Sequence, residues 1–315
     1  MYAHLQARLE KRQPVLLDGP MGSELVRRGV RWRKHGLLTD TDKVRQLHDM
    51  YLAAGADVIR TNTFQLNPRI FLNVFRNREH MGHIGAPGLA ELTPKLLRTS
   101  VKLAREARAA AGADGRTAIA GVLSPLEHCF RPDLAPPPEK ARREHEDLAR
   151  VFAEEKVDLV LLESMNNLAE AKAAAAACSA VGLPFWASFV LGPEGELLSR
   201  EPLADAVKEM EKAGAKAVLV NCAPPVDITQ ALGKLKKSTS LPFGGFAHIG
   251  RFSPPSWKFE FFPQFTDTGE WPASRYLEEA QRWRQQGATI IGGCCGTGPA
   301  HIGALRGWLG PNGGA

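Results

Sequence analysis

Short runs of valine, isoleucine, leucine and alanine recur along the chain, each followed by a longer stretch whose apolar positions return every three or four residues. The runs predict strands at residues 14–20, 56–64, 117–125, 157–165, 184–191, 215–223, 242–250 and 288–293. The stretches between and after them predict helices at 40–54, 93–111, 138–156, 168–181, 203–213, 228–238, 274–286 and 299–309. Gly55, Gly112, Gly182, Gly214 and Gly287 stand at helix ends, where left-handed caps favour glycine before the next strand begins.

Strand and helix alternate without exception, which implies a parallel sheet, and eight repeats is the number that closes a (β/α)8 TIM barrel in a single domain over 1–315. The competing architecture is an open doubly wound sheet. Its dinucleotide-binding version is weakened because no GxGxxG turn follows the first strand. Two connections are longer than the rest, 65–92 and 251–273, and both follow strand C-termini. In a barrel those loops build the active face. The second carries aromatic residues from Phe252 through Trp257 to Trp271, which read either as a packed lid or contact surface or as direct substrate contacts.

Composition narrows the picture. With 315 residues, 44% hydrophobic and 23% charged, the chain has the make-up of a globular protein. The net charge of +6 does not point to nucleic acid, because Lys and Arg are interleaved with Asp and Glu along helices such as 139–156. The N-terminus lacks the apolar core of a signal peptide, and no run approaches the roughly 20 apolar residues of a membrane span, so a cytoplasmic location without a membrane partner is expected. Five cysteines, an odd number, make no disulfide framework in a chain this long, so reduced thiols are expected.

Two of those cysteines are adjacent, in the stretch IGGCCGTGPAHI. A vicinal disulfide is disfavoured, because the bond asks for Cα atoms about 4.4–6.8 Å apart whereas a trans peptide holds them at about 3.8 Å. The strand ends explain the pair better. Asp18 ends the first strand, Glu163 the fourth, Cys222 the sixth, and Cys294 with Cys295 the eighth, so a closed barrel gathers all five at one mouth. Three thiolates in one place suit zinc, with three protein ligands and an open fourth position as in catalytic sites. Cys178 lies in an alanine-rich helix and reads as core, whereas Cys129 follows the third strand and is a weaker candidate for a fourth ligand.

An open position on such a centre invites a sulfur substrate, since a metal-bound thiol is deprotonated at neutral pH whereas a free one is mostly protonated. Asp18 and Glu163 would then hold the ammonium of an amino-acid thiol, and the amides around Gly22 in GPMGSE its carboxylate. The blander alternative for Asp18 is a strand-end turn residue. The rival for the whole site is a non-catalytic zinc-binding barrel with a fourth internal ligand.

The stretches LLDGPMGSEL, GADVIRTNTF, VDLVLLESMNNLAEAKAA, VLVNCAP and IIGGCCGTGPAHI resemble, in order, the motifs of the homocysteine S-methyltransferase family across residues 14–309. The resemblance implies a zinc-dependent (β/α)8 barrel that methylates homocysteine to methionine, with Cys222, Cys294 and Cys295 as zinc ligands and Asp18 and Glu163 binding homocysteine. TNTF, LLESM and GGCCGT are similar to the homocysteine domain of cobalamin-dependent methionine synthase, which keeps a separate corrinoid protein or methylcobalamin open as methyl source. FAHIG departs from the family's pattern at the end of the seventh strand, placing His248 where relatives carry Asn, as either a substrate contact or a polar residue of the mouth. Betaine-using relatives have Tyr after the Thr-Phe pair of the second strand; here Phe64 is followed by Gln65, as in relatives using S-methylmethionine or S-adenosylmethionine. A small-molecule sulfonium donor is therefore expected, with Trp257 or Trp271 able to complete a cage for betaine instead.

Overall fold

The computed structural model describes residues 1–30, 34–69, 88–253 and 264–310. Its frame is one eight-stranded sheet in which every neighbouring pair is parallel. The strands are β1 (Val15–Leu16), β2 (Val58–Arg60), β3 (Ala118–Leu123), β4 (Leu159–Met165), β5 (Phe185–Phe189), β6 (Ala217–Asn221), β7 (Phe243–Ala247) and, after a hairpin, β10 (Ile290–Gly293). The ring closes between β1 and β2 through one bridge, Leu17 to Val58, with Asp18 N donating to Val58 O at 3.0 Å and Asp57 N to Leu16 O at 2.8 Å. This is the (β/α)8 TIM barrel expected from the alternation.

Successive side chains of a strand point to opposite faces, and the packing follows that rule. Val15, Leu17, Leu159, Leu161, Leu219 and Ile290 fill the barrel interior, whereas Leu16, Val160, Leu162, Val218 and Ile291 pack outward. The outer layer is covered by α3 (Thr41–Ala53), α4 (Leu89–Ala110), α5 (Pro138–Glu154), α6 (Leu168–Ala180), α7 (Leu203–Lys212), α8 (Pro225–Ser238), α9 (Ala273–Gln285) and α10 (Pro299–Leu309). Each coincides with an expected helix, although α4 starts a turn before residue 93 and α8 three residues before 228.

Three features were not anticipated. Helix α1 (Tyr2–Glu10) closes the N-terminal end of the barrel, with Leu5 and Leu9 buried in the interior cluster and Arg8 Nη1 donating to Asp57 Oδ1 at 2.9 Å. Short α2 (Met21–Arg27) follows the first strand directly. An antiparallel hairpin, β8 (Arg251–Ser253) with β9 (Gln264–Thr266), rises after β7. Much of the two long connections expected at 65–92 and 251–273, including Trp257, lies outside the described residues. Among the described residues no helix is long and apolar enough to cross a membrane.

Candidate active site

The C-terminal ends of the strands surround a cavity of about 270 Å³, and Cys222, Cys294 and Cys295 line it together. Their Sγ atoms all lie within 4.8 Å of one another, and among the described residues no fourth cysteine, histidine or carboxylate joins the group. Tetrahedral zinc needs sulfur separations of roughly 3.8 Å, given bonds of about 2.3 Å, so shifts of under an ångström bring these three onto one ion. The thiols act on one another: hydrogen bonds with Cys294 and Cys295 push Cys222 well up, while those from Cys222 and Cys294 hold Cys295 well down. The donor set therefore fits a thiophilic metal, with Cys295 only partly buried on the cavity side.

Backbone geometry aims these groups inward. Cys222, directly after β6, has φ of 56°, Gln65, beyond β2, has 56°, and Ser164, at an irregularity near the end of β4, has 62°; all three are on the cavity wall. Left-handed backbone costs a residue with a Cβ about 1–2 kcal/mol, and three of the seven described non-glycine residues that adopt it stand around this one cavity, so the site carries part of the strain the fold stores. Asn221 holds one of them, its Nδ2 donating to Ser164 Oγ at 2.6 Å and its Oδ1 accepting from Ser164 N at 3.2 Å. The vicinal pair is tied down on its own side: Tyr276 Oη donates to Gly292 O at 2.6 Å and Thr297 Oγ1 to Cys294 O at 2.8 Å. A Cβ on Gly293 would lie 2.1 Å from Thr297 Oγ1, which explains the glycine before the pair.

Beside the sulfurs sits Arg60, which the sequence reading passed over. Its guanidinium is buried, stacked 4.9 Å from the Phe246 ring centroid. Nε donates to Asp18 Oδ1 at 2.7 Å, Nη1 to Glu163 Oε1 at 2.9 Å, and Nη2 to Asp18 O at 3.0 Å and Gly293 O at 2.8 Å. The Arg60 amide donates to the other Asp18 oxygen, Oδ2, at 2.8 Å. Both Asp18 oxygens thus accept N–H donors, the pattern of an ionised carboxylate, although burial pushes its carboxyl up against the pull of Arg60. Burial likewise takes Glu163 up to about 7, with Arg60 pulling down and Cys294 and Asp18 pushing further up.

The residues expected at the site divide accordingly. Gly22, Phe64, Gln65 and Glu163 line the cavity with the three cysteines; Asp18 is fully buried behind Arg60 and does not. His248 lies on a second cavity, of about 340 Å³, that meets the first only at Cys222. Trp271 is on that second cavity too, its ring covered by the Arg275 guanidinium at 4.3 Å. Cys129 lines the thiol cavity without joining the sulfur group, and Cys178 is buried in α6. One signal for Arg60 was present: an arginine inside the apolar run GADVIRTNTF must find carboxylates once buried, and two strand-end acids were at hand.

A closed barrel with three thiols and a carboxylate converging at its C-terminal mouth defines a barrel enzyme whose active face is built around a sulfur group able to hold a metal. Residues 15–309 match the homocysteine S-methyltransferase family, and the chain belongs to that family. Among its relatives, a homocysteine S-methyltransferase of Escherichia coli is 29% identical, with 96% of this chain and 97% of that protein aligned. A betaine–homocysteine S-methyltransferase of Bos taurus is 27% identical over 96% of this chain and 74% of its own length. The crystal structure of the metallated form of the Escherichia coli homocysteine methyltransferase MmuM superposes with a TM-score of 0.79 at 28% identity, covering 96% of this chain and 99% of that one.

Proposed function

We propose that this methyltransferase transfers a methyl group from a sulfonium donor to the thiol of homocysteine, giving methionine, at a zinc ion held by Cys222, Cys294 and Cys295. The observation that carries the reading is the meeting of three Sγ atoms within 4.8 Å on the wall of a small cavity. When bound, the zinc supplies a deprotonated acceptor thiol at neutral pH. The chain's own residues do the rest. Glu163 Oε2, which accepts no hydrogen bond from the described residues, takes the acceptor's ammonium, while Oε1 stays on Arg60. Gly22 and its neighbours border the far end of the acceptor, and Phe64 and Gln65 the donor. The acceptor sulfur attacks the methyl carbon in line; a carbon–sulfur bond forms, and the donor's sulfur keeps the electron pair of the bond that breaks, leaving as a neutral thioether.

One observation favours a sulfonium over betaine, and a second favours a small molecule over a separate corrinoid protein. Gln65 contributes an amide where a cage would need a ring, and Trp271 is turned to the second cavity under Arg275. A cavity of about 270 Å³ is also of small-molecule size. The test incubates zinc-loaded protein and homocysteine with S-methylmethionine, S-adenosylmethionine, betaine or methylcobalamin, and assays methionine. Product from a sulfonium supports the reading. Product from betaine or methylcobalamin alone refutes the donor, and none from any donor refutes the activity. Zinc-edge absorption separates the non-catalytic rival: homocysteine adds a zinc–sulfur contact only where a position is open.

A further inference from the structure

Given the activity proposed above, we infer that Arg60 is a specificity-determining and positioning residue: it serves as the built-in cation of the acid pair and leaves the acceptor's amino group a single carboxylate oxygen. Asp18 and Glu163 are the acids nearest this mouth, Glu163 on the cavity wall and Asp18 behind Arg60, and with the guanidinium absent the two could together grip an ammonium. Arg60 pre-empts them. It consumes both Asp18 oxygens through Nε and its own amide, at 2.7 and 2.8 Å, and Glu163 Oε1 through Nη1 at 2.9 Å. Nothing in that arrangement is loose, since Nη2 is also fixed on Asp18 O and Gly293 O and the guanidinium is stacked on Phe246. Arg60 is also the strut between the acid and metal sides of the site, because Gly293, whose carbonyl it holds, immediately precedes Cys294 and Cys295.

The consequence concerns the class of thiol accepted. Among the described residues, an ammonium entering this cavity meets one carboxylate oxygen that accepts no hydrogen bond, Glu163 Oε2, with a guanidinium directly behind it. A site that wraps an amino group in buried acceptors rejects the analogue lacking it by about 10⁴-fold or more. One charge-assisted hydrogen bond is worth only about 10- to 150-fold, and water from the cavity can replace it on Glu163 when the amino group is missing. The acceptor site is therefore one for small thiols for which an α-amino group is helpful but not required.

The test compares homocysteine with sulfanylbutanoate, which is homocysteine without its amino group. Zinc-loaded protein is titrated with each by calorimetry, and kcat/KM is measured for each with the donor that supports turnover. The expected preference for homocysteine is below about 150-fold; a larger one overturns the inference while leaving the methyl transfer intact. Loss of turnover with both thiols, with the binding ratio still below that limit, instead refutes the proposed activity alone. Glu163→Gln should bring the ratio close to one with zinc content unchanged, and a ratio held at the wild-type value would overturn the assignment of Oε2. Arg60→Met lets the entering ammonium take the place of the guanidinium between the two acids and should raise the ratio above the wild-type value; an unchanged ratio would deny Arg60 its role. Where that variant does not fold, the wild-type comparison decides.

Discussion

Asp18→Asn separates two roles for a strand-end acid that look alike in the sequence. If Asp18 contacted substrate, the change would raise KM and leave the fold alone. In the structure its carboxylate is fully buried and accepts two N–H donors of Arg60, from Nε at 2.7 Å and the amide at 2.8 Å. An asparagine keeps one acceptor but turns an NH2 toward the other donor, so one charge-assisted hydrogen bond is lost and a donor faces a donor. Removing one partner of a buried ion pair costs roughly 3–5 kcal/mol, and retention of Glu163 on Nη1 puts this variant toward the lower figure. With a urea slope near the top of the about 1–3 kcal/mol/M range, the unfolding midpoint should fall by about 1 M. Zinc content should fall with it, because the same guanidinium fixes the carbonyl before Cys294. An unchanged urea midpoint combined with a tenfold or greater rise in KM for homocysteine would refute the reasoning and return Asp18 to the substrate.

Single replacement of Cys222, Cys294 or Cys295 by Ala should abolish stoichiometric zinc, read by elemental analysis, and methyl transfer with it; full activity in any one would remove that residue from the ligand set. Tyr276→Phe takes the donor from Gly292 O and the acceptor from Ala247 N, both buried, and should cost about 1–3 kcal/mol in denaturant while weakening zinc retention. His48 is fully buried with no partner on either ring nitrogen among the described residues, and burial lowers it from 6.5 to about 4. Between those values the unfolded chain binds a proton that the native state refuses, so stability is lost as pH falls from about 6.5 to 4, by roughly 3 kcal/mol in all. His48→Leu should remove that part of the slope and stabilise at pH 7, as urea midpoints across the window would show; an unaltered slope counts against it.

The eight strands were legible because a barrel strand is a short apolar run in a fixed rhythm, and the site was legible where chemistry sits at strand ends in rare residue types, as in the vicinal cysteines and Glu163. What escaped lies in long-range pairing. Arg60 stands 42 residues from Asp18 and 103 from Glu163, so only the closed barrel shows that it occupies both. Asp18 and Glu163 looked equivalent for the same reason, and the structure sets one behind the guanidinium and the other in front of it. His248 stands at the mouth beside Cys222, as expected of a polar mouth residue, but it faces the neighbouring cavity and not the one the three thiols line. Helix α1 escaped because only Leu5 and Leu9 face inward, too few to impose a period on a polar stretch. The left-handed backbone at Gln65, Ser164 and Cys222 escaped because none is glycine.

Those three strained residues and Arg60 address one physical problem. The chemistry asks for several anionic groups in a small volume of low dielectric, where mutual repulsion and lost solvation both favour protonating them instead. The fold meets this by fixing one guanidinium among the acids with four side-chain hydrogen bonds, and by spending backbone strain at strand ends so that the sulfur of Cys222 reaches those of Cys294 and Cys295. Once a divalent cation is added, the thiolates and carboxylates still outnumber the positive charges, so the mouth remains anionic. A mouth of that sign would draw in and bind a cationic methyl donor, as the proposed reaction asks, and would not hold back a leaving group that departs neutral. The chain as a whole is basic, at +6, so this preference arises at the cavity itself and not from long-range steering.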